Sequence, residues 1–552
     1  MKNLLAALWR TTFAWLLSGA LLLGCSMPPT SISPLPAGTD GSAARGQWFD
    51  LRSAGARIDG TTNDDLAWTA AQAATKGLIY VPPGTSVVSA FPDMSRVIGE
   101  GFISKNGTSL PAGDIRSDLT IPYPDGYADF STIFEYLGGR RILGSATVTI
   151  SIASGEHVLT GQGIVPRHVD GGRIHIVGQG KDQTTLKFTA LGSGTSKAGV
   201  QLVGDYELGL LDGLTLDGDA WNGHAAGSPL LGSGDVNDPM GIQAKEGAVI
   251  RLGTNVRVRQ FARNGVFAYQ GSTIKADYVE VIETGSDGIV ASTGSTVRAI
   301  SAKVQDCWGV GIFADYAGTI WASGAVVSGT KYRFGGAGGD GFSAANGGTI
   351  YAENSTSLKN SDSGYTAHSG LIVANGAKAG GAANGNSGSG LRCQYGGRFI
   401  GDNVTASHNV GGGMVLTGGG QFHGLNLNTS NNGSHGASVV DGSLFVSQGF
   451  LSHLNSGRGL SIDRGSVASI LNCDIQGNTG DGISNNGARV RASSAVAVKS
   501  NGGMGIITRR GGITDMEGVS ESLVVTGNAA GSFSPAKDTT SGIGQSFNYG
   551  AN

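Results

Sequence analysis

The chain predicts an all-β fold: a parallel β-helix, a solenoid in which one turn of chain takes about 23 residues. Three observations predict it. Asn360, Asn386, Asn409, Asn432, Asn455, Asn478 and Asn501 each stand four residues before a glycine, namely Gly364, Gly390, Gly413, Gly436, Gly459, Gly482 and Gly505. The five steps after Gly390 are 23 residues each. A turn amide buried at that spacing can bond to the same amide one rung away, so the asparagines form a structural ladder. Second, the glycine register runs back through Gly341, Gly311, Gly288, Gly265 and Gly241, with a 30-residue step before Gly341 and a 26-residue step after Gly364. Third, the residues after each glycine alternate, as in Val266 and Ala268, Ile289 and Ala291, Ile312 and Ala314, Leu391 and Cys393, Met414 and Leu416, or Leu460 and Ile462. Period-2 alternation turns these inward and their neighbours outward. A second beat, Gly-Ser-Thr-Ile at 271–274 or Gly-Thr-Ile at 318–320, marks a turn and a following strand.

Composition agrees with a solenoid. Glycine supplies 95 of 552 residues and proline 14, unlike a Pro-rich disordered chain. Charged residues are 14 percent and the net charge is −3, without the basic surplus of a nucleic-acid binder.

Along the chain, residues 1–24 read as a leader. Lys2 and Arg10 precede an apolar run from Phe13 to Leu23, too short to span a bilayer comfortably. The run ends Leu22-Leu23-Gly24-Cys25, a box that resembles the bacterial lipoprotein motif. That resemblance implies cleavage before Cys25, lipidation of Cys25, and, with Ser26 following, an outer-membrane lipoprotein held to the membrane through lipid alone. Residues 25–45 are a flexible tether. Residues 46–90 are an N-terminal cap: Asp64 and Asp65 open a short helix carrying Leu66, Ala70, Ala73 and Ala74, and Leu78 to Val81 is a strand that stops at Pro82-Pro83-Gly84. Early rungs with insertions fill 91–240, regular repeats fill 241–512, and 513–552 is a C-terminal cap or tail. Cys307, Cys393 and Cys473 lie several rungs apart, beyond disulfide reach, and Cys393 takes an inward position. No spacing suits a bound metal.

The cap residues Asp50, Gly55-Ala56, Asp59-Gly60, Asp64-Asp65 and Pro82-Pro83-Gly84 resemble the N-terminal cap of pectate-lyase-like right-handed β-helix proteins, common in phage tailspikes. The stretches at 131–159 and 171–180 are similar to segments of tail fibres and tailspikes. The resemblance implies a right-handed coil with a helical cap. It also implies an extended polysaccharide as partner, bound on an exposed face where carboxylates cleave it. Two departures are the lipoprotein leader and the short tail without a trimerising region.

Three places could carry chemistry. Glu283 and Asp306 each stand five residues before a register glycine, so they stack about one rung, about 4.8 Å, apart. Carboxylates that close split into an acid and a base; a charged turn balanced by lysines has the same spacing. The outward column Tyr269, Ser292, Asp315, Ala345, His368, Gln394 puts Asp315 and His368 on either side of a small residue, where a sugar could lie. Two insertions supply aromatics for stacking on sugar rings: Trp221 in 214–239, and Tyr332 and Phe334, with Arg333, in 331–341. Asp217, Asp219, Asp235 and Asp238 offer oxygens to Ca²⁺, but without a calcium-loop spacing, and no cofactor is expected. No GxSxG elbow, P-loop or HExxH occurs. The expected function is binding and cleavage of an extracellular polysaccharide, as a hydrolase or lyase. The alternatives are a non-catalytic carbohydrate-binding adhesin or envelope-structural lipoprotein, and a C5-epimerase. Substrate and oligomeric state are open.

Overall fold

The computed structural model describes residues 48–125, 127, 129–191, 198–219, 239–332, 338–516, 523–535 and 546–548. Nearly every strand pairs in parallel with the strand one turn of chain later, as a right-handed parallel β-helix requires. Three long sheets result, besides two small sheets in the cap. The first opens at each register glycine and runs from Ala198–Val203 to Phe533–Pro535. The second follows it in every rung, as in Thr319–Trp321, Thr349–Tyr351 and Leu371–Val373. The third, with strands such as Glu280–Ile282, Lys303–Gln305 and Val326–Ser328, completes the rung. Two beats per rung were legible in the sequence; this third one was not.

The alternation holds throughout. Val266, Ala268, Ile289, Ala291, Leu391, Cys393, Met414 and Leu416 are fully buried. Burial pushes the Cys473 thiol up to about 12 and the Cys393 thiol further, so both behave as core. Inside the coil, aromatic rings stack from rung to rung: Phe342 on Tyr365 at 4.7 Å, Phe399 on Phe422 at 6.0 Å, Phe422 on Phe445 at 5.6 Å.

The asparagine ladder forms as expected. Asn386 Nδ2 donates to Asn409 Oδ1 (2.9 Å), Asn409 to Asn432 (3.1 Å), Asn432 to Asn455 (3.0 Å) and Asn455 to Asn478 (2.8 Å). Each Oδ1 also accepts the backbone N–H of the preceding asparagine, and each Nδ2 donates to a strand carbonyl such as Ala406 O. Every polar atom of these buried amides is therefore satisfied. The ladder is longer than the seven residues read from the sequence. Asn501 donates to Asn528 (2.9 Å), so Asn501 is not its last member. The register glycines are required by the ladder: a Cβ on Gly413 would lie 2.9 Å from Asn432 Nδ2 and 2.6 Å from Gly436 O.

The cap holds α1 (Asp65–Ala74), whose buried face is Ala67, Trp68 and Ala71, while Leu66 is exposed. Buried Asp64 precedes it and ties the cap together, accepting from Arg57 N, Ile58 N and Ser86 Oγ. A second helix, α2 (Phe130–Gly138), was not read from the sequence; Asp129 caps it by accepting from Thr132 N. Arg140, just past α2, is buried and bolts cap to coil through the carbonyls of Met94, Val97, Ala112 and Tyr136.

Replacing Asn432 with Ala strands the amides of Asn409 and the carbonyl of Ala406, at a cost of about 1–3 kcal/mol. Asn528→Ala, which removes the outermost rung of the ladder, costs less. Denaturant midpoints check the order; equal losses contradict a ladder whose interior members are the more demanding.

Candidate functional site

On several rungs the residue just before the register glycine has a recurring task. Asp287 Oδ1 accepts the amide of Val310 one rung on (2.8 Å), Asp481 Oδ1 that of Met504 (2.9 Å), and His435 Nδ1 that of Arg458 (2.9 Å). Asp340 does the same for Ser363 (3.1 Å) and also accepts from Thr366 Oγ1 (2.9 Å). What differs is the next rung. Above Asp287 and Asp481 the neighbouring positions are Gly309 and Gly503; above Asp340 that position is Asp362. Arg392, two residues past Gly390, grips Asp362 with both guanidinium nitrogens, at 3.0 and 2.5 Å. Gly388 makes room, since a Cβ there would lie 2.4 Å from Asp362 Oδ1.

The 30-residue step covers this group from one side. Tyr332 pairs with Gly338 across the insertion, and its ring lies against Gly339, where a Cβ would sit 3.2 Å from Cδ1. Gly338 and Gly339 have φ of +85° and +88°, which only glycine adopts readily. Asp340 is 9 % exposed. Burial, followed by the charge of Asp362, pushes its carboxyl up to about 7, with Arg392 opposing. A buried carboxyl, a second carboxylate and a fixed cation thus lie together beside the first sheet, next to a half-exposed tyrosine.

The expected site residues fall around this group. Asp315 and His368 point outward from the same sheet. Asp315 accepts from Asn346 Nδ2 (2.8 Å), and His368 Nδ1 lies 3.0 Å from Gln394 Nε2 with Tyr395 against its ring. Thr366 and His368 share one strand, Arg392 and Gln394 the next. Glu283 and Asp306 do fall on consecutive rungs, but at the bend before the first sheet, in left-handed conformation with φ of +54° and +55°. Gln260 Nε2 donates to Glu283 (3.0 Å), and Lys331 Nζ lies 3.7 Å from Asp306. Of the stacking aromatics, Tyr332 joins the site; Trp221, Arg333, Phe334 and the lipidation residue Cys25 lie outside the described residues. Of the acids considered for Ca²⁺, Asp217 is bonded to Arg259 and Asp219 to Lys187, while Asp235 and Asp238 lie outside the described residues. Asp340, Asp362 and Arg392 were not singled out from the sequence. The available signal was Asp362 standing where most other rungs have glycine.

Neither a protein-family model nor a curated protein sequence matches the chain. Solved structures overlap it loosely. The A-module of a mannuronan C-5 epimerase of Azotobacter vinelandii is 15% identical, over 91% of this chain and 98% of that one, with a TM-score of 0.26. The catalytic domain of a GH87 α-1,3-glucanase in complex with nigerose is 10% identical over 78% and 68%, with a TM-score of 0.31. An N-terminal fragment of gene product 12 of bacteriophage Phi29 is 13% identical over 85% and 87%, with a TM-score of 0.30. Overlaps this loose assign no activity, and the fold stands on the hydrogen-bond register of the chain itself.

The raised carboxyl has a consequence for stability. Between about pH 4 and pH 7 the folded chain holds a proton on Asp340 that the unfolded chain releases, so this group's contribution falls as pH rises through that window. Asp340→Asn removes the dependence. Denaturant midpoints at pH 5 and pH 8 are expected to diverge more in the wild type than in the variant; equal divergence places the titration elsewhere.

Proposed function

We propose that the chain binds an extended extracellular polysaccharide along the outer face of the first sheet and hydrolyses it at Asp340. The carrying observation is the buried Asp340 carboxyl, raised to about 7, one rung from the Arg392-held Asp362. A carboxyl protonated near neutral pH donates to the glycosidic oxygen as the bond breaks. Asp362 supplies the second carboxylate, orienting water or meeting the developing positive charge of the sugar ring. Arg392 fixes Asp362 in one geometry through its fork. Tyr332 offers a ring face to a pyranose, and Asp315 and His368 lie along the same face as further polar contacts.

One observation favours a second reading. Asp287 and Asp481 accept the next rung's amide as Asp340 does, without a second acid. On that reading Asp340 caps a rung, and the protein is a non-catalytic adhesin or envelope component. Incubation with a polysaccharide panel separates the two. Hydrolysis yields new reducing ends without ultraviolet absorbance; absorbance marks a lyase. Asp340→Asn and Asp362→Asn are expected to lower turnover at least a hundredfold while binding persists. Wild-type binding with no new ends on any polymer overturns the hydrolase reading in favour of the adhesin.

We also propose that the chain is tethered to the outer membrane through lipidated Cys25, on the strength of the Leu-Leu-Gly-Cys box. Cys25→Ser is expected to abolish fatty-acid labelling and release the protein from the membrane fraction. Unlabelled, soluble wild-type protein contradicts the tether.

A further inference from the structure

The second sheet carries a different outer face. Its strands place two residues outward per rung and bury the one between, as Ile320, Ile350 and Ile372 are buried. In one outward column Lys275, Arg298, Trp321 and Tyr351 follow on successive rungs. The Trp321 and Tyr351 rings are stacked, with centroids 6.0 Å apart and planes within 10°. Trp321 is 41 % exposed, so this flat aromatic surface faces solvent. Interior stacking, as between Phe399 and Phe422, is explained by the core; a stack on the outer face is not.

Two rungs beyond Tyr351, about 10 Å along the axis, Arg398 occupies the other outward column. Its guanidinium is exposed and makes no ion pair or side-chain hydrogen bond among the described residues. Arg398, Ile400, Gln421, His423 and Leu444 border a surface depression of about 400 Å³. From Thr273 to His423 no outward strand position of this sheet carries a carboxylate. The acids at the bend after the strands are engaged: Asp277 with Arg298 and the Ile300 amide, Glu353 with Ser323, Asp402 with the Leu425 amide. On a chain of net charge −3 this is a local cationic and aromatic strip.

We propose that this strip is a second polysaccharide-binding site, separate from the Asp340 face, for an anionic glycan lying along the coil axis. A pyranose ring stacks its C–H face on Trp321 and Tyr351. The anionic group of a sugar further along the strand meets the Arg398 fork, with Gln421 and His423 beside it. Arginine suits this role because its planar donors match the two oxygens of a carboxylate or sulfate. The inference rests on the second-sheet residues and stands whether or not Asp340 is catalytic.

Affinity electrophoresis of the purified chain in polygalacturonate, alginate, dextran sulfate and neutral dextran tests it. Retardation is expected in at least one anionic polymer, weakening with added salt, and none of comparable strength in dextran. Retardation by polygalacturonate or alginate identifies a carboxylate ligand; retardation by dextran sulfate alone identifies a sulfate. Trp321→Ala and Arg398→Ala should each weaken it at least tenfold. Both variants can be checked for folding by their denaturant midpoints. The proposal is overturned if the two second-sheet variants migrate like the wild type, if dextran retards equally, or if no anionic polymer retards at all. Sedimentation showing a dimer that the same variants dissociate also overturns it, since a second copy of the chain would then be the occupant.

Discussion

The asparagine ladder is the constraint from which the rest of the molecule follows. A buried amide has two donors and an acceptor oxygen with two lone pairs, and here all of them are used along the axis and across to a strand. That arrangement fixes the height of each rung and its register. It also excludes a side chain at the residue where the next strand begins, because the Cβ would strike the amide. Once the register is fixed, every outward column is fixed with it. The ladder reaches the candidate site directly. Thr330 donates its backbone N–H to Asn360 Oδ1, and its hydroxyl lies 2.9 Å from the same oxygen and 2.7 Å from Gly339 O. The first asparagine of the ladder thus holds Thr330 at the start of the insertion that carries Tyr332 and Asp340, and the Thr330 hydroxyl reaches Gly339 near its end.

Much of this was legible in the sequence because the physics repeats. A requirement that recurs on every rung leaves the same residue at the same spacing, as Asn432 and Gly436 do. The third sheet was illegible because its strands in the regular repeats shorten from four residues at Val256–Arg259 to two at Lys378–Ala379, too short for alternation to register. Asn528 escaped because its step is 27 residues rather than 23. α2 escaped because its nine residues show no repeat to compare with.

The site was harder for the opposite reason: it is where repetition fails. Glu283 and Asp306 attracted notice because they repeat, and they prove to be bend residues with partners of their own. Asp362 breaks a column of small residues, and Arg392 follows it on the next rung. Neither is conspicuous until the rungs are laid over one another. The burial of Asp340, on which its raised carboxyl depends, is a property of the surrounding packing rather than of any local motif.

The two outward faces have opposite character. The first sheet and its bends gather Asp287, Asp315, Asp340 and Asp362 around Arg392; between Thr273 and His423 the second carries Lys275, Arg298 and Arg398 and no strand carboxylate. A coil can keep such charges apart because residues of one column stay on one face for many rungs, and a small net charge conceals the division.

A proton on Asp340 near neutral pH follows from where the coil buries it. Difference infrared spectroscopy between the wild type and Asp340→Asn at pH 6 measures this directly. A protonated-carboxyl band is expected in the wild type, missing from the variant and fading as pH rises through about 7. A wild-type spectrum at pH 6 without that band would contradict it.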